Sequence, residues 1–182
     1  MTQKIILLQK PKHQSLKQPI NHPVSIVEID PHQPTAVIFV GKSPGVAMHT
    51  LLNVIRMFPK HFKNFVFVSA GVVDVESFVG QTTLLRMRSE VNHHLQYFVD
   101  YCHQYGIAAE AYAAFGTDTV DELAKLAEKI TRKYSNCIFF SSKLIFEKDN
   151  FISRLLHNET AITLQRNLHL IGKELVILPM IV

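Results

Sequence analysis

The stretch AVIFVGKSPG, Ala36 to Gly45, decides how the chain is read. An apolar, β-branched run enters Gly-Lys-Ser, which raises the question of a nucleotide-binding loop. A P-loop needs a glycine, four residues and then Gly-Lys-Ser/Thr, because the intervening backbone supplies the nest of N–H groups that wraps a phosphate. Ala36 stands where the first glycine would be, and Val37 to Val40 are needed for the strand. No loop is left to do the wrapping. Gly41-Lys42-Ser43-Pro44-Gly45 instead reads as a tight strand-to-helix turn, with its glycines expected to serve a positive φ or a close approach. A weaker anion site stays open, since the first N–H groups of the following helix are unpaired and carry partial positive charge.

Outward from this turn the pattern repeats. Short β-branched runs at 35–40, 64–70, 107–115, 136–142 and 174–182 alternate with longer segments whose apolar residues recur at three and four. The first helix is predicted over Val46–Phe58, and the second carries Leu84, Met87, Val91, Leu95, Phe98 and Cys102 on one stripe. The third opens with a predicted capping box, Thr119 three residues ahead of Glu122, and the fourth ends before Gly172. Near-continuously apolar strands joined through helices predict an α/β fold: a five-stranded parallel sheet with helices on both faces. Ligands of such open sheets bind beyond the carboxyl ends of the strands, where the strand order reverses. If the first and fourth strands flank that reversal, the loops Gly41–Gly45 and Ser141–Asp149 form the candidate crevice.

At 182 residues and 47% hydrophobic, the chain has the size of one domain with a substantial core. Residues 1–34 are set apart as a Pro-rich arm, with Pro11, Pro19, Pro23, Pro31 and Pro34, and Lys4, Lys10, Lys12 and Lys17 all preceding the first acid, Glu28. Within it Val24–Ile29 could add a short strand and the apolar run after Lys4 could pack on a neighbour; the domain proper is 35–182. Cys102 and Cys137 lie in apolar periodic segments and read as reduced core thiols. No run reaches the roughly 18 to 20 apolar residues of a membrane span, and the N-terminal apolar run is short for a signal peptide, so a soluble cytoplasmic chain is expected. A net charge of +4, spread over helices that also carry acids, gives no reason to expect nucleic-acid binding.

Ten histidines invite a metal, but His93, His94 and His103 do not match the i, i+4 ligand spacing, and neither His-Glu-x-x-His nor Cys-x-x-Cys occurs. No metal and no cofactor are expected. Ser69 lacks the Gly-x-Ser-x-Gly setting of a nucleophile and is expected to end a strand. Asp74 and Glu76 are a close acidic pair after the second strand; a general-base role is conceivable, and solvation or capping is the simpler reading. With no nucleophile–base constellation, a hydrolase or transferase would rest on fold analogy alone, and a non-catalytic protein is expected. The last strand is strongly apolar yet contains Pro179, which suits an edge. An apolar edge needs cover, and a second copy across a two-fold axis is the simplest, with Val176, Leu178, Pro179 and Ile181 at the contact.

Three strings, HFKNFVFVSAGVVD (His61–Asp74), FGTDTVDE (Phe115–Glu122) and RLLHNETA (Arg154–Ala161), resemble the soluble C-terminal domain of bacterial amino-acid permeases of the amino acid-polyamine-organocation superfamily. The likeness covers about residues 33–182. It implies a universal stress protein-like sheet in the order 3-2-1-4-5, dimerisation through the last strand, and an arm leading from a membrane-embedded permease portion at the cytoplasmic face of the bacterial inner membrane. Nucleotide-binding stress proteins place an Asp at the end of the first strand and a glycine-rich run closing in Gly-Ser after the fourth. Here Gly41 and His157-Asn158 stand in those places, and Glu159 sits in the first turn of the fourth helix, where a carboxylate would repel a phosphate. Adenine-nucleotide binding of that kind is therefore not expected. Gly41, Lys42, Ser43, Gly45, Ser141, Ser142, Lys143, Arg154 and Asn158 remain candidates to hold another anion, such as a cyclic dinucleotide, with a solvated loop as the plain alternative. The rival reading is a free-standing nucleotide-binding stress protein.

Overall fold

The structure, a computed structural model, describes residues 27–41, 43–72, 81–145 and 162–181. Its elements run β1 (Thr35–Phe39), α1 (Pro44–Met57), β2 (Asn64–Val72), α2 (Gln81–Gln104), β3 (Ala108–Gly116), α3 (Thr119–Lys133), β4 (Cys137–Ile145), α4 (162–170) and β5 (Leu175–Ile181). The five strands form one parallel sheet in the order β3-β2-β1-β4-β5. Fold class and strand order are those expected from the sequence.

Every residue of β1 is buried, because the strand is central and helices cover both faces. Alternation divides the interior into two cores. Ala36, Ile38, Phe65, Phe67 and Phe140 face α1 and α2, whereas Val37, Phe39, Val66, Val68 and Phe139 face α3 and α4. Phe67 stacks on Phe98 of α2 at 5.1 Å on the first side, and Phe39 stacks on Phe139 at 5.6 Å on the second. The α2 stripe behaves as its spacing predicts, with Leu95, Phe98 and Cys102 buried and Leu84, Met87 and Val91 half-buried. Both cysteines are free thiols, and burial pushes that of Cys102 up to about 12.

The end of the arm is fixed to the amino ends of the strands. The buried Asn64 amide donates to the Asp30 carbonyl (2.7 Å) and the Thr35 hydroxyl (2.9 Å), and the N–H of Lys63 donates to the Pro34 carbonyl (2.8 Å). Ile29 packs against the α3/α4 core. Val27–Ile29 are not in a strand, which corrects that part of the extra strand considered at Val24–Ile29; Val24 to Ser25 and Ile26 lie outside the described residues.

Two further local expectations are corrected. Helix α3 is capped by Asp118, whose carboxylate accepts from the N–H groups of Val120 (2.7 Å) and Asp121 (3.0 Å), so Thr119 is already the first helical residue. A carboxylate both accepts and complements the helix dipole, which favours it over the neighbouring hydroxyl. Strand β4 runs through Ser141 and Ser142 as expected and then continues past them, through Lys143 to Ile145, because its backbone goes on pairing with β5 where only a loop was expected. Asp118→Ala is expected to cost about 1 kcal/mol, whereas Thr119→Ala stays within about 0.5 kcal/mol. Phe98→Ala, which empties the space against Phe67, is expected to cost about 3 to 5 kcal/mol. Urea denaturation of the three variants checks both orderings.

Candidate functional site

The candidate crevice arises because β1 ends before its neighbours. Its pairing with β4 stops at Ile38↔Phe140 and its pairing with β2 at Phe39↔Val68. Meanwhile β2–β3 pairing runs on to Val72↔Gly116 and β4–β5 pairing to Ile145↔Ile181. The chain stays anchored to β2 for one more residue: Val40 N–H donates to the Val68 carbonyl (2.7 Å), and the Ser69 hydroxyl donates to the Val40 carbonyl (2.8 Å). Ser69 is thus a buried tether inside β2, not the end of the strand. From Gly41 the chain leaves the sheet for α1, so beyond Phe140 the backbone of β4 has no β1 partner. This is the point where strand order reverses, the usual ligand position in open α/β sheets.

The turn at its floor is short, as the Gly-Lys-Ser reading requires, with Ala36 fully buried in β1 and α1 already begun at Pro44. Ser43 is the N-cap in extended backbone, but its hydroxyl makes no capping hydrogen bond, and Pro44 brings no N–H. The cleft therefore offers the Ser43 hydroxyl and the N–H groups of the first turn, Gly45 and Val46. Gly41 and Gly45 are both exposed; neither adopts a positive φ, and an added Cβ would meet nothing within 4 Å. The expectation that these glycines answer a backbone demand is corrected: the turn follows ordinary φ values and lies open to solvent. Close approach occurs elsewhere on this rim: a Cβ at Gly71 would come within 2.7 Å of the Phe115 ring, and one at Gly116 within 2.7 Å of the Glu122 side chain, so either substitution obliges that side chain to move.

Ser141 and Ser142 are half-buried strand residues in register with Ile177 and Leu178. They are adjacent on one strand and so face opposite sides of the sheet, Ser142 toward the α1 side and Ser141 toward the α3 side. Lys143 is placed by its backbone opposite Pro179; its side chain, and Lys42, Asp74, Glu76, Arg154 and Asn158, lie outside the described residues. None of the described side chains of the cleft titrates. Among the described residues no group of three or more His, Cys, Asp or Glu could hold a metal ion. His93 and His94 are exposed, and His103 Nε2 lies 3.2 Å from the Ala109 carbonyl.

On β5, Leu178 is buried and Val176 half-buried, both packed in the α1/α2 core, while Pro179 is exposed. The side chain of Ile181 lies outside the described residues. A two-fold contact along this strand would thus use its backbone edge and Pro179, not Leu178.

The densest polar cluster lies on the other edge strand and was missed in the sequence. Glu110 of β3 accepts hydrogen bonds from Lys133 Nζ (2.8 and 2.9 Å), the Tyr112 hydroxyl and the Tyr134 hydroxyl, while Lys133 also donates to Tyr112 (2.9 Å). Burial alone would raise the Glu110 carboxyl, but the bonds from Lys133 and the two tyrosines outweigh it and hold it below the usual 4.5. Burial, reinforced by the carboxylate, pushes both tyrosine hydroxyls up. The signal was a carboxylate at an inward-facing strand position, two residues before a tyrosine. Every acceptor site is occupied by donors from the chain itself, so the cluster locks β3 to the end of α3.

Over 80% of its length the chain superposes on 96% of the crystal structure of a protein from the universal stress protein family from Burkholderia pseudomallei, with a TM-score of 0.53 and 14% sequence identity. The fold is universal stress protein-like. No protein-family model matches the chain, and no curated protein does. Among the described residues no helix is long and apolar enough to cross a membrane.

Because the Glu110 carboxyl is held below 4.5 in the fold, its stabilisation is complete above that value and is lost as pH falls through the lower folded pKa. Glu110→Ala is expected to cost about 2 kcal/mol at neutral pH. The gap from wild type, measured by denaturant titration across a pH series, should narrow below pH 4.5; a gap constant with pH would show that the charge of Glu110 contributes nothing.

Proposed function

We propose that the chain is a non-catalytic cytosolic domain of an amino-acid permease, dimerising through β5 and able to sense an anionic ligand in the crevice at the carboxyl ends of β1 and β4. The observation that carries the reading is the make-up of that crevice. Its described floor consists of a hydroxyl and backbone N–H groups with no acid–base pair, which suits holding an anion and gives chemistry no starting point. Attachment to a permease is supported by the strings His61–Asp74 and Phe115–Glu122, which span β2 and the β3–α3 junction, and by the lysine-bearing arm, which suits a cytoplasmic membrane surface. Coupling would then be a matter of linkage: a ligand that prefers one state of the domain dimer shifts the attached transporter by that difference and no more.

A free-standing stress protein-like nucleotide binder is the second reading, and it is compatible with the same fold. Gly41 argues against it on the resemblance stated above, since it leaves no carboxylate for a nucleotide base.

Calorimetric titration with ATP, AMP and cyclic di-AMP separates the two. The permease reading expects micromolar binding of cyclic di-AMP, weakened at least about tenfold in Lys143→Ala and Arg154→Ala, and none of ATP. Tight ATP binding would favour the free-standing reading, and no binding at all would leave a scaffold without a sensor. Sedimentation should give a dimer at tens of micromolar; a monomer there would remove the β5 contact.

A further inference from the structure

At the opposite, amino end of the sheet lies a cleft of about 390 Å³ between the end of α1 and the starts of β2 and β3. Ile55, Phe58, Phe62, Phe65 and Ile107 form its walls, and Lys60 and Lys63 stand at its rim. Among the described residues, none that lines it is acidic. Phe62 is the centre of the aromatic packing, with Phe58 and Phe140 each at 5.6 Å and Phe65 at 6.4 Å from its ring. Phe62 and Phe65 are buried, Ile55, Phe58 and Ile107 are half-buried, and both lysines are exposed. The rings are thus held rigidly from below while the half-buried side chains keep an apolar surface open above.

Lys60 sits in the left-handed region, with φ at 61°, and is the positive-φ non-glycine residue among those described. In this region the Cβ of any L-residue crowds the backbone carbonyl, so glycine would be the unstrained choice. The turn is set by Phe58 N–H donating to the Val54 carbonyl (3.0 Å) and His61 N–H donating to the Phe58 carbonyl (3.2 Å). Strain retained with a charged residue at a cleft mouth points to a use for that charge.

We propose that this cleft binds a free medium-chain fatty acid, its carboxylate on Lys60 and Lys63 and its chain along Phe58, Ile55 and Ile107. The charge at the mouth selects an anion, the walls select a hydrocarbon, and the volume excludes a two-chain lipid: 390 Å³ is the space of about a dozen waters at roughly 30 Å³ each. The basic arm is the competing occupant, since its apolar run Ile5–Leu8 is long enough to fill the cleft, but Lys4 and Lys10 flank that run and would meet Lys60 and Lys63.

Titration of the full chain with decanoate, followed by amide NMR and calorimetry, tests this. Decanoate is expected to shift the amides of Lys60–Phe65, Gly106 and Ile107, and decyltrimethylammonium, with the same chain and the opposite charge, to bind at least about tenfold more weakly. Lys60→Gly combined with Lys63→Ala should weaken decanoate about tenfold, the loss expected for two partly solvated charge contacts. Lys60→Gly alone should leave the thermal midpoint equal or higher while affinity falls, which a purely structural lysine would not do. Equal binding of the two amphiphiles, shifts centred elsewhere, or no binding would overturn the proposal. So would decanoate binding seen only after Ile5→Asp and Ile6→Asp, which would give the cleft to the arm.

Discussion

The early end of β1 governs the architecture. This strand is central, buried on both faces and paired on both edges, so it fixes the register of everything around it. Its side chains divide the interior into the α1/α2 core and the α3/α4 core, and its pairing with β4 is what reverses the strand order. When it peels away after Val40 the sheet loses its middle while both flanks continue. A cleft follows without any residue being devoted to making it. The tether from Ser69 to the Val40 carbonyl is the local expense of this arrangement: a backbone oxygen at the sheet's interior edge must find a donor, and β2 supplies a hydroxyl for it.

The two edge strands are finished in different ways. On β3 an inward-facing carboxylate would be costly alone, and the fold surrounds it with a lysine and two tyrosine hydroxyls from β3 and the end of α3. That makes a hydrogen-bonded clasp at a strand in which five of the nine residues are alanine, whose small side chains bury little apolar area against α2 and α3. On β5 Leu175, Val176, Ile177 and Leu178 are half or fully packed beneath α1 and α4, with Pro179 exposed on the edge. One edge is secured by polar chemistry and the other by apolar packing.

Much of this was legible in the sequence because it rests on periodicity. The exclusion of a P-loop followed from Ala36 and the need for Val37–Val40 in a strand, and the α2 stripe from its spacing alone. The misread positions share a physical cause. Lys143 looks like the start of a loop because it is charged, yet a strand needs only backbone pairing, and β5 provides it as far as Ile145. Asp118 and Thr119 are both good caps, and only the geometry of the turn decides between them. Gly41 and Gly45 suggested a demand for unusual φ, whereas among the described residues positive φ falls at Gly106, at Gly172 and at Lys60, the last of which composition gives no reason to suspect. Glu110 is meaningful through Lys133 and Tyr134, and contacts so distant along the chain leave no mark on a local pattern.

Side-chain size is distributed unevenly between the two ends of the sheet, and this bears on where specificity resides. Phe58, Phe62 and Phe65 crowd the amino end, while at the carboxyl end Gly41, Ser69, Gly71, Ser141 and Ser142 leave Phe115 as the aromatic side chain of the rim. The strands therefore provide room at the carboxyl end but little that could distinguish one ligand from another. Discrimination there must come from the turns that follow the strands, which can change without disturbing either core. A sheet of this design can keep its strand order and both cores while the turns at its carboxyl end vary.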